Sequence, residues 1–198
     1  AHIAGLEYEC FTDIDNVSEG KVELISPRDD DPKEYAILRN DANQAYSYTL
    51  AGAANILGYV PEDDYAYSKQ DTTQAAWQHL ADYVGMSVKE TARRVMDLAN
   101  AKLNPVMNEL IQEYELGRKF VTLVGGGGSA SVVVPALAEH LNMQWKISDN
   151  APYISTIGVA LAMVREQIER TVLNPDENDI LQIRQEVIEK IVQSGAQE

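Results

Sequence analysis

The chain has 198 residues, 45% of them hydrophobic, enough to bury a sizeable core and too apolar for a disordered or fibrous protein. Sixteen Lys and Arg stand against 31 Asp and Glu, a net charge of -15. Such a surface repels a polyphosphate backbone, and the cations are gathered in no segment, so nucleic acid is excluded as a partner.

Cys10 is the one cysteine, which rules out an internal disulfide and any CxxC or zinc-finger set. No apolar run approaches the roughly 18 residues of a membrane span, and "AHIAGLEYEC" lacks a basic-then-apolar signal layout. These features predict a cytoplasmic protein without a membrane partner. The chain opens on Ala and goes almost at once into a predicted strand, which reads as a piece of something longer.

In chain order, "KVELISP" (Lys21 to Pro27) and "EYAILRN" (Glu34 to Asn40) alternate apolar and polar residues around the turn "RDDDPK", predicting a hairpin. "AYSYTL" (Ala45 to Leu50) follows as a third strand. "AGAANILGYV" reads either as a short helix ending at Gly58 or as a close contact between elements. Thr72 or Thr73 caps a helix through about Tyr83 that Gly85 ends. Ser87 and Glu90 form an S-x-x-E capping box. From there Ala92, Val95, Ala99, Leu103, Met107, Leu110 and Tyr114 repeat at three and four, predicting a helix to about Leu116 with a kink or break near Asn104 before Pro105.

"KFVTLV" (Lys119 to Val124) has the continuous apolar character of a strand buried on both faces of a parallel sheet. Four consecutive glycines follow, Gly125 to Gly128, and then a helix to Leu141. "MQWKIS" (Met143 to Ser148) predicts another strand. An apolar helix is expected from about Tyr153 toward Val172, and a last amphipathic helix from Glu177 to Gln193.

A strand, a glycine turn and a helix together make an anion or nucleotide cradle. A P-loop is excluded because residues 125–131, "GGGGSAS", hold no cation. Gly125, Gly127 and Ala130 formally match the dinucleotide G-x-G-x-x-A, with Asp149 about twenty residues on, but the helical character after Asp149 leaves too few strands for that fold. The turn also resembles the adenosine-binding Gly-Gly-x-[Ser/Ala] turn of actin-like ATPases. Tight helix-to-strand packing with no ligand is the remaining reading, set against the entropic cost of four glycines.

From Tyr48 to Arg165 the chain resembles the C-terminal part of the hydantoinase A / 5-oxoprolinase family. The family's "T-x-T-D-A-x-x-x-L-G" is echoed by Thr49 to Ala53 with Leu57-Gly58. Its "AA-x-x-(I/V)-x-x-x-AN-A-x-M" helix is echoed by "ETARRVMDLANAKL", with Asn100 at the family Asn. Its strand with Gly-Gly-Ala-Gly is echoed by Leu123 to Gly128, and its "P-x-x-x-S-A-x-G" by Pro152, Ser155, Thr156 and Gly158. Two departures stand out. Gly52 replaces the Asp of "TDA", and Ser129-Ala130-Ser131 replaces Pro-Leu-His, which marks a divergent subgroup.

The resemblance implies an α/β fold, an actin-like ATPase (ribonuclease H-like) half-fold with a β-hairpin insertion and several packed helices. Residues 1–175 would form it, β-rich over 1–50, helical over 72–117 and strand, glycine turn and helix over 119–172. Residues 176–198 would be a helix leading to a missing segment. Implied cofactors are ATP and Mg²⁺, the metal site lying mostly outside this chain. Implied partners are a small cyclic amide or carbonyl substrate and a second, hydantoinase B-like subunit.

The implied activity couples ATP hydrolysis to cyclic amide opening or a related carbonyl activation, with this chain inactive alone. A non-catalytic ATP-driven regulatory or reactivating subunit of the same fold and a Rossmann-type NAD-dependent oxidoreductase are the alternatives. Nucleotide contacts would fall on Gly125, Gly126, Gly127, Gly128 and Ser129, with Asp149, Asn150 and Asn100 as ribose or cleft contacts.

Among other residues, Asp13 and Asp15 read as either a cation site or an exposed turn. His2, His79 and His140 have no metal-like spacing. Trp77 and Trp145 read as core or interface residues.

Overall fold

The computed structural model describes residues 6–26, 28, 34–162 and 165–195, which fall into two compact units, Ala1–Ile154 and Ser155–Glu198. In the first unit, β1 (Glu7–Tyr8), β2 (Lys21–Ile25), β3 (Tyr35–Arg39) and β4 (Ala45–Ser47) form a sheet of order β1-β4-β3-β2. The predicted hairpin is present, with Val22 opposite Leu38 and Ile25 opposite Tyr35. Most of its "RDDDPK" turn lies outside the described residues. β1 pairs with β4 in parallel, Glu7 opposite Tyr46.

The third strand stops at Ser47 because Thr49 turns the chain into α1 (Leu50–Ile56), its hydroxyl accepting from the Gly52 amide. Both sequence readings of this stretch are therefore realised. It is a short helix, and it buries Gly52, Ala53 and Ala54 in a close contact.

α2 (Gln70–Val84) begins earlier than predicted, after Lys69 and with no side-chain cap. Thr72 and Thr73 lie inside the helix, buried, so neither is its cap. The Thr73 hydroxyl is 2.6 Å from that of Ser68 and donates to the Lys69 carbonyl at 2.9 Å, an inward bond that replaces capping. Gly85 ends the helix in the left-handed region as expected.

The capping box of Ser87 and Glu90 opens α3 (Val88–Glu113), which runs through Pro105 without the expected break. Ala101, whose carbonyl loses its partner there, is exposed and so is Pro105, which leaves that carbonyl to water. Ser87→Ala is expected to lower stability by about 1 kcal/mol, read as a shifted urea midpoint with unchanged slope.

β5 (Thr122–Gly125) and β6 (Gln144–Ile147) pair in parallel on either side of α4 (Ala130–Leu141). β5 is not buried on both faces. Leu123 is buried and Val124 is 57% exposed, because α4 covers one face and, among the described residues, only β6 joins the sheet. α2 packs on β2 and β3, α4 packs on β5 and β6, and α1 and α3 join these layers. Trp77, Leu38, Tyr46, Ala53, Met96 and Val132 share the main core.

In the second unit, α5 (Ile154–Leu161) is far shorter than the helix expected toward Val172, and residues 165–172 are not helical. It buries none of its residues, and a helix without a packed face is not sustained by propensity alone. α6 (Glu177–Gln193) matches its predicted bounds, with Asp176 and Asp179 forming a capping box.

Candidate functional site

The glycine turn joins β5 to α4, and each glycine has its own physical reason. A Cβ on Gly125 would lie 2.7 Å from Ile147 Cδ1 and 3.0 Å from the Ala130 Cβ. One on Gly126 would meet Ile154 Cγ2 at 3.2 Å. Gly127 has a φ of +96°, where side chains are strained, with nothing within 4 Å of its Cβ position. Its amide donates to the Ala151 carbonyl at 2.7 Å, tying the turn to the segment after β6. Ser148 adds two bonds to the Gly125 carbonyl, from its amide and its hydroxyl, each at 2.9 Å.

The open side of the turn is at Gly128 and Ser129, which line a cavity of about 730 Å³. Its walls bring together stretches far apart in sequence. Tyr8, Phe11, Tyr35 and Tyr48 supply aromatic surface, Thr49 to Ala51 supply the start of α1, and Lys102 of α3 supplies a cation. The volume and the mix of apolar walls with a few polar groups are those of a small-molecule site. The Tyr65 ring lies against the other side of Gly128, 3.3 Å from its Cβ position. Ser131 does not reach the cavity, because its buried hydroxyl donates to Asp64 Oδ2 and anchors α4 to the loop before α2.

Beneath Thr49 lies Glu9, fully buried just after β1. Its Oε1 accepts from Trp77 Nε1 at 2.9 Å, from the Thr49 amide at 3.1 Å and from the Thr49 hydroxyl at 3.3 Å, while Oε2 finds no partner among the other described residues. Desolvation pushes the Glu9 carboxyl up to about 7, against the opposing pull of the Trp77 and Thr49 hydrogen bonds. The neighbouring Cys10 thiol, 3.6 Å from the Thr49 hydroxyl, is pushed up to about 12 by burial and by the Glu9 charge, and so is a poor nucleophile. A Cβ on Gly52 would run into both Glu9 Oε1 and Trp77 Nε1.

The remaining predicted site residues separate. Asn100 is buried on α3 and donates to the Ala136 carbonyl at 3.2 Å, and among the described residues its Oδ1 has no partner. It lines a small cavity of about 170 Å³ with Asp97, Arg93 and Glu139 instead of the cavity at Gly128. Arg93 donates to Tyr59 at 2.6 Å, and Tyr59 donates to Glu139. Asp149 and Asn150 are exposed in the turn after β6, Asn150 in the left-handed region, and neither lines the cavity. Ser155 and Gly158 are exposed in the second unit, and a Cβ on Gly158 would meet nothing within 4 Å.

Asp13 pairs with Lys69 at 2.6 Å, and among the described residues no group of three His, Cys, Asp or Glu side chains could hold a metal ion. His79 approaches the Val17 carbonyl at 3.1 Å, His140 sits in the last turn of α4, and His2 is outside the described residues. Trp77 is core, whereas Trp145 is 47% exposed. A groove of about 790 Å³ along the start of α3 carries Lys89, Arg93 and Arg94, offset by Glu90 and Asp97, and shares no residue with the glycine turn. Among the described residues no helix is long and apolar enough to cross a membrane.

Sequence reasoning missed Glu9, Lys102 and the four rings. An acidic residue beside a cysteine at a strand end was the available signal for Glu9; for the rings only the fold could bring the positions together.

A hydantoinase/oxoprolinase family model matches residues 36–168, about two thirds of the chain. No curated protein matches it in sequence. Among solved structures, a nucleotide-free structure of acetone carboxylase, from work on ATP-dependent acetone carboxylation, superposes with a TM-score of 0.58 at 15% identity. The superposition covers 90% of this chain and 29% of that one, so the chain spans less than a third of the length of the protein it resembles in fold.

Proposed function

We propose that this chain, which belongs to the hydantoinase/oxoprolinase family, holds the adenosine end of ATP in an enzyme that activates a carbonyl or cyclic amide. The observation that carries this reading is the convergence of three family segments on one cavity: Gly128 and Ser129 of the glycine turn, Thr49 to Ala51, and Lys102. A mixed α/β fold with the acetone carboxylase likeness supports an actin-like ATPase architecture as part of the same proposal.

The residues fit the group. Aromatic rings offer stacking surface to a purine, the glycine turn lets the ligand approach backbone at Gly128, and Lys102 supplies positive charge in a chain of net charge -15. ATP, when bound, supplies a phosphoryl group that turns a poor oxygen leaving group into a good one. This chain's own part is to bind and orient. The rings exclude water from the base, Ser129 offers a hydroxyl, and Lys102 offsets ligand charge. Asp149, Asn150 and Asn100 fall outside the cavity lining and have no part in this reading. Mg²⁺ and a hydantoinase B-like subunit belong to the proposal at the level of the family only, with no ligand set to name here.

Calorimetric titration of the full-length protein with ATP and with NADH tests it. ATP is expected to bind and NADH not, and Lys102→Glu and Ser129→Trp are each expected to weaken ATP by about tenfold or more, which is about 1.4 kcal/mol. NADH binding without ATP binding would overturn the reading. ATP turnover that appears only with a partner protein, and with no cyclic amide or ketone, would assign the chain to a regulatory subunit instead.

A further inference from the structure

We infer that Glu9, at the end of β1, fills the space that a side chain at residue 52 would need and acts as a positioning residue holding Thr49 in the wall of the cavity.

Gly52 departs from the pattern the chain resembles, and the first turn of α1 holds no acidic residue of its own. The structure brings one to it from outside the helix. The atoms that a side chain at residue 52 would need are those of Glu9: its Cδ lies 3.2 Å from the Gly52 Cβ position, and its Oε1 and the Trp77 Nε1 crowd it more closely still. Glu9 and any side chain at 52 contest one space, and that side chain would also displace the buried Trp77 indole, so glycine at 52 goes with Glu9 and Trp77 together. The carboxylate is fixed there. Three donors converge on Oε1, from Trp77 and twice from Thr49.

Thr49 is then fully committed. Its hydroxyl accepts from the Gly52 amide at 3.0 Å and gives its proton to Glu9, which sets the side chain that lines the cavity beside Leu50 and Ala51. The titratable groups packed around Glu9 are the Cys10 thiol, from its own segment, and the Tyr48 phenol, which donates to the Ala76 carbonyl at 3.2 Å. Both are held neutral by burial. α1 contributes Gly52, and α2 contributes the Trp77 indole. No cation faces the carboxylate among the groups that set its titration. Among the described residues Glu9 Oε2 has no partner outside its own backbone, a costly arrangement for a buried carboxyl.

The test is a swap in the full-length protein: Glu9→Ala, Gly52→Asp and the double variant, followed by thermal unfolding. Each single change is expected to lower Tm by several degrees, the first by emptying the site and the second by overfilling it. The double variant, in which Glu9 no longer contests the space and only the Trp77 indole must shift, is expected to unfold above Gly52→Asp. A double variant no more stable than Gly52→Asp overturns the inference, and so does one that fails to fold.

The second measurement does not depend on those variants folding. In a background where every other tryptophan of the full-length protein, Trp145 among them, is changed to Phe, Trp77 emission is expected to change with pH through neutrality, and Glu9→Gln, which keeps an oxygen for the three donors, is expected to abolish that change. An emission profile that Glu9→Gln leaves unaltered overturns the assignment of an ionisable carboxylate at the indole. Neither measurement uses ATP, so failure here is distinct from failure of the nucleotide reading.

Discussion

Trp77→Ala is expected to destabilise the protein by about 3–5 kcal/mol, a large share of the stability of an ordinary domain. Three losses combine. The indole is fully buried in the main core, so its removal leaves a cavity lined by α2, α1 and β-sheet residues. Its edge-on contact with Tyr48, with centroids 5.8 Å apart and planes at 76°, disappears. Glu9 Oε1 loses the 2.9 Å bond from Nε1 while staying buried, and a buried acceptor short of a donor costs about 1–3 kcal/mol.

Trp77→Phe separates these contributions. It keeps most of the volume and the ring contact, and is expected to cost about 1–3 kcal/mol, chiefly through the lost donor. Urea denaturation of the three proteins at one pH measures both. A Trp77→Ala cost under about 1 kcal/mol would contradict the core assignment. Equal costs for the two variants would mean that packing contributes little.

The second large effect is a pH dependence of the wrong sign for an ordinary glutamate. The folded-state carboxyl of Glu9 titrates at about 7, above the ordinary 4.5, because burial penalises its charged form. The folded protein therefore binds a proton that the unfolded chain has released. Stability from this group is complete below the unfolded value and is lost as pH rises through about 7. Across that window the loss is on the order of 3 kcal/mol.

Surface carboxylates such as Asp13, Glu23 and Glu90 are shifted down by their hydrogen bonds to Lys69, Arg39 and Ser87, and they pull the other way. The measurement is therefore a difference. Denaturation midpoints of wild type and Glu9→Gln at pH 5 and pH 8 should show wild type losing stability relative to the variant on going to the higher pH. A wild type that gains relative to Glu9→Gln over that interval would refute the burial-driven shift.

Much of the backbone was legible where local chemistry decides it. The S-x-x-E box fixed the start of α3 to the residue, Gly85 fixed the end of α2, and the isoleucine stripe of α6 gave both its ends. The hairpin itself followed from alternation, and its register came only with the fold. Where tertiary contacts decide, sequence was a poorer guide. Thr72 and Thr73 look like caps until the fold buries them and turns the Thr73 hydroxyl inward to Ser68 and Lys69. "KFVTLV" looks doubly buried until the sheet is seen, among the described residues, to pair it with β6 on one side only. The long apolar helix expected after Tyr153 ends at Leu161, since periodicity cannot say whether a partner surface exists.

The candidate site was half legible. The glycine turn drew attention by composition, yet Gly125 and Gly126 are glycines chiefly because Ile147, Ala130 and Ile154 lie against them. Only Gly128 and Ser129 open on the cavity. Gly52 was visible as a departure from the pattern the chain resembles. Its contact with Glu9 was not, because the two are separated by more than forty residues and meet only through the pairing of β1 with β4.

That short parallel pairing also bears on how the protein is made. Glu7 and Tyr8 must wait for Tyr46 and Ser47, and Glu9 must wait for Trp77, a separation of 68 residues. Contacts of such long sequence span close late, after local helices and the hairpin have formed. On the ribosome, with residues emerging at roughly 5–20 per second, Glu9 stays hydrated for seconds before its indole partner arrives. The Glu7–Glu9 segment is thus synthesised before its partners and seated after them, and the Tyr8 part of the cavity wall is completed only when it docks.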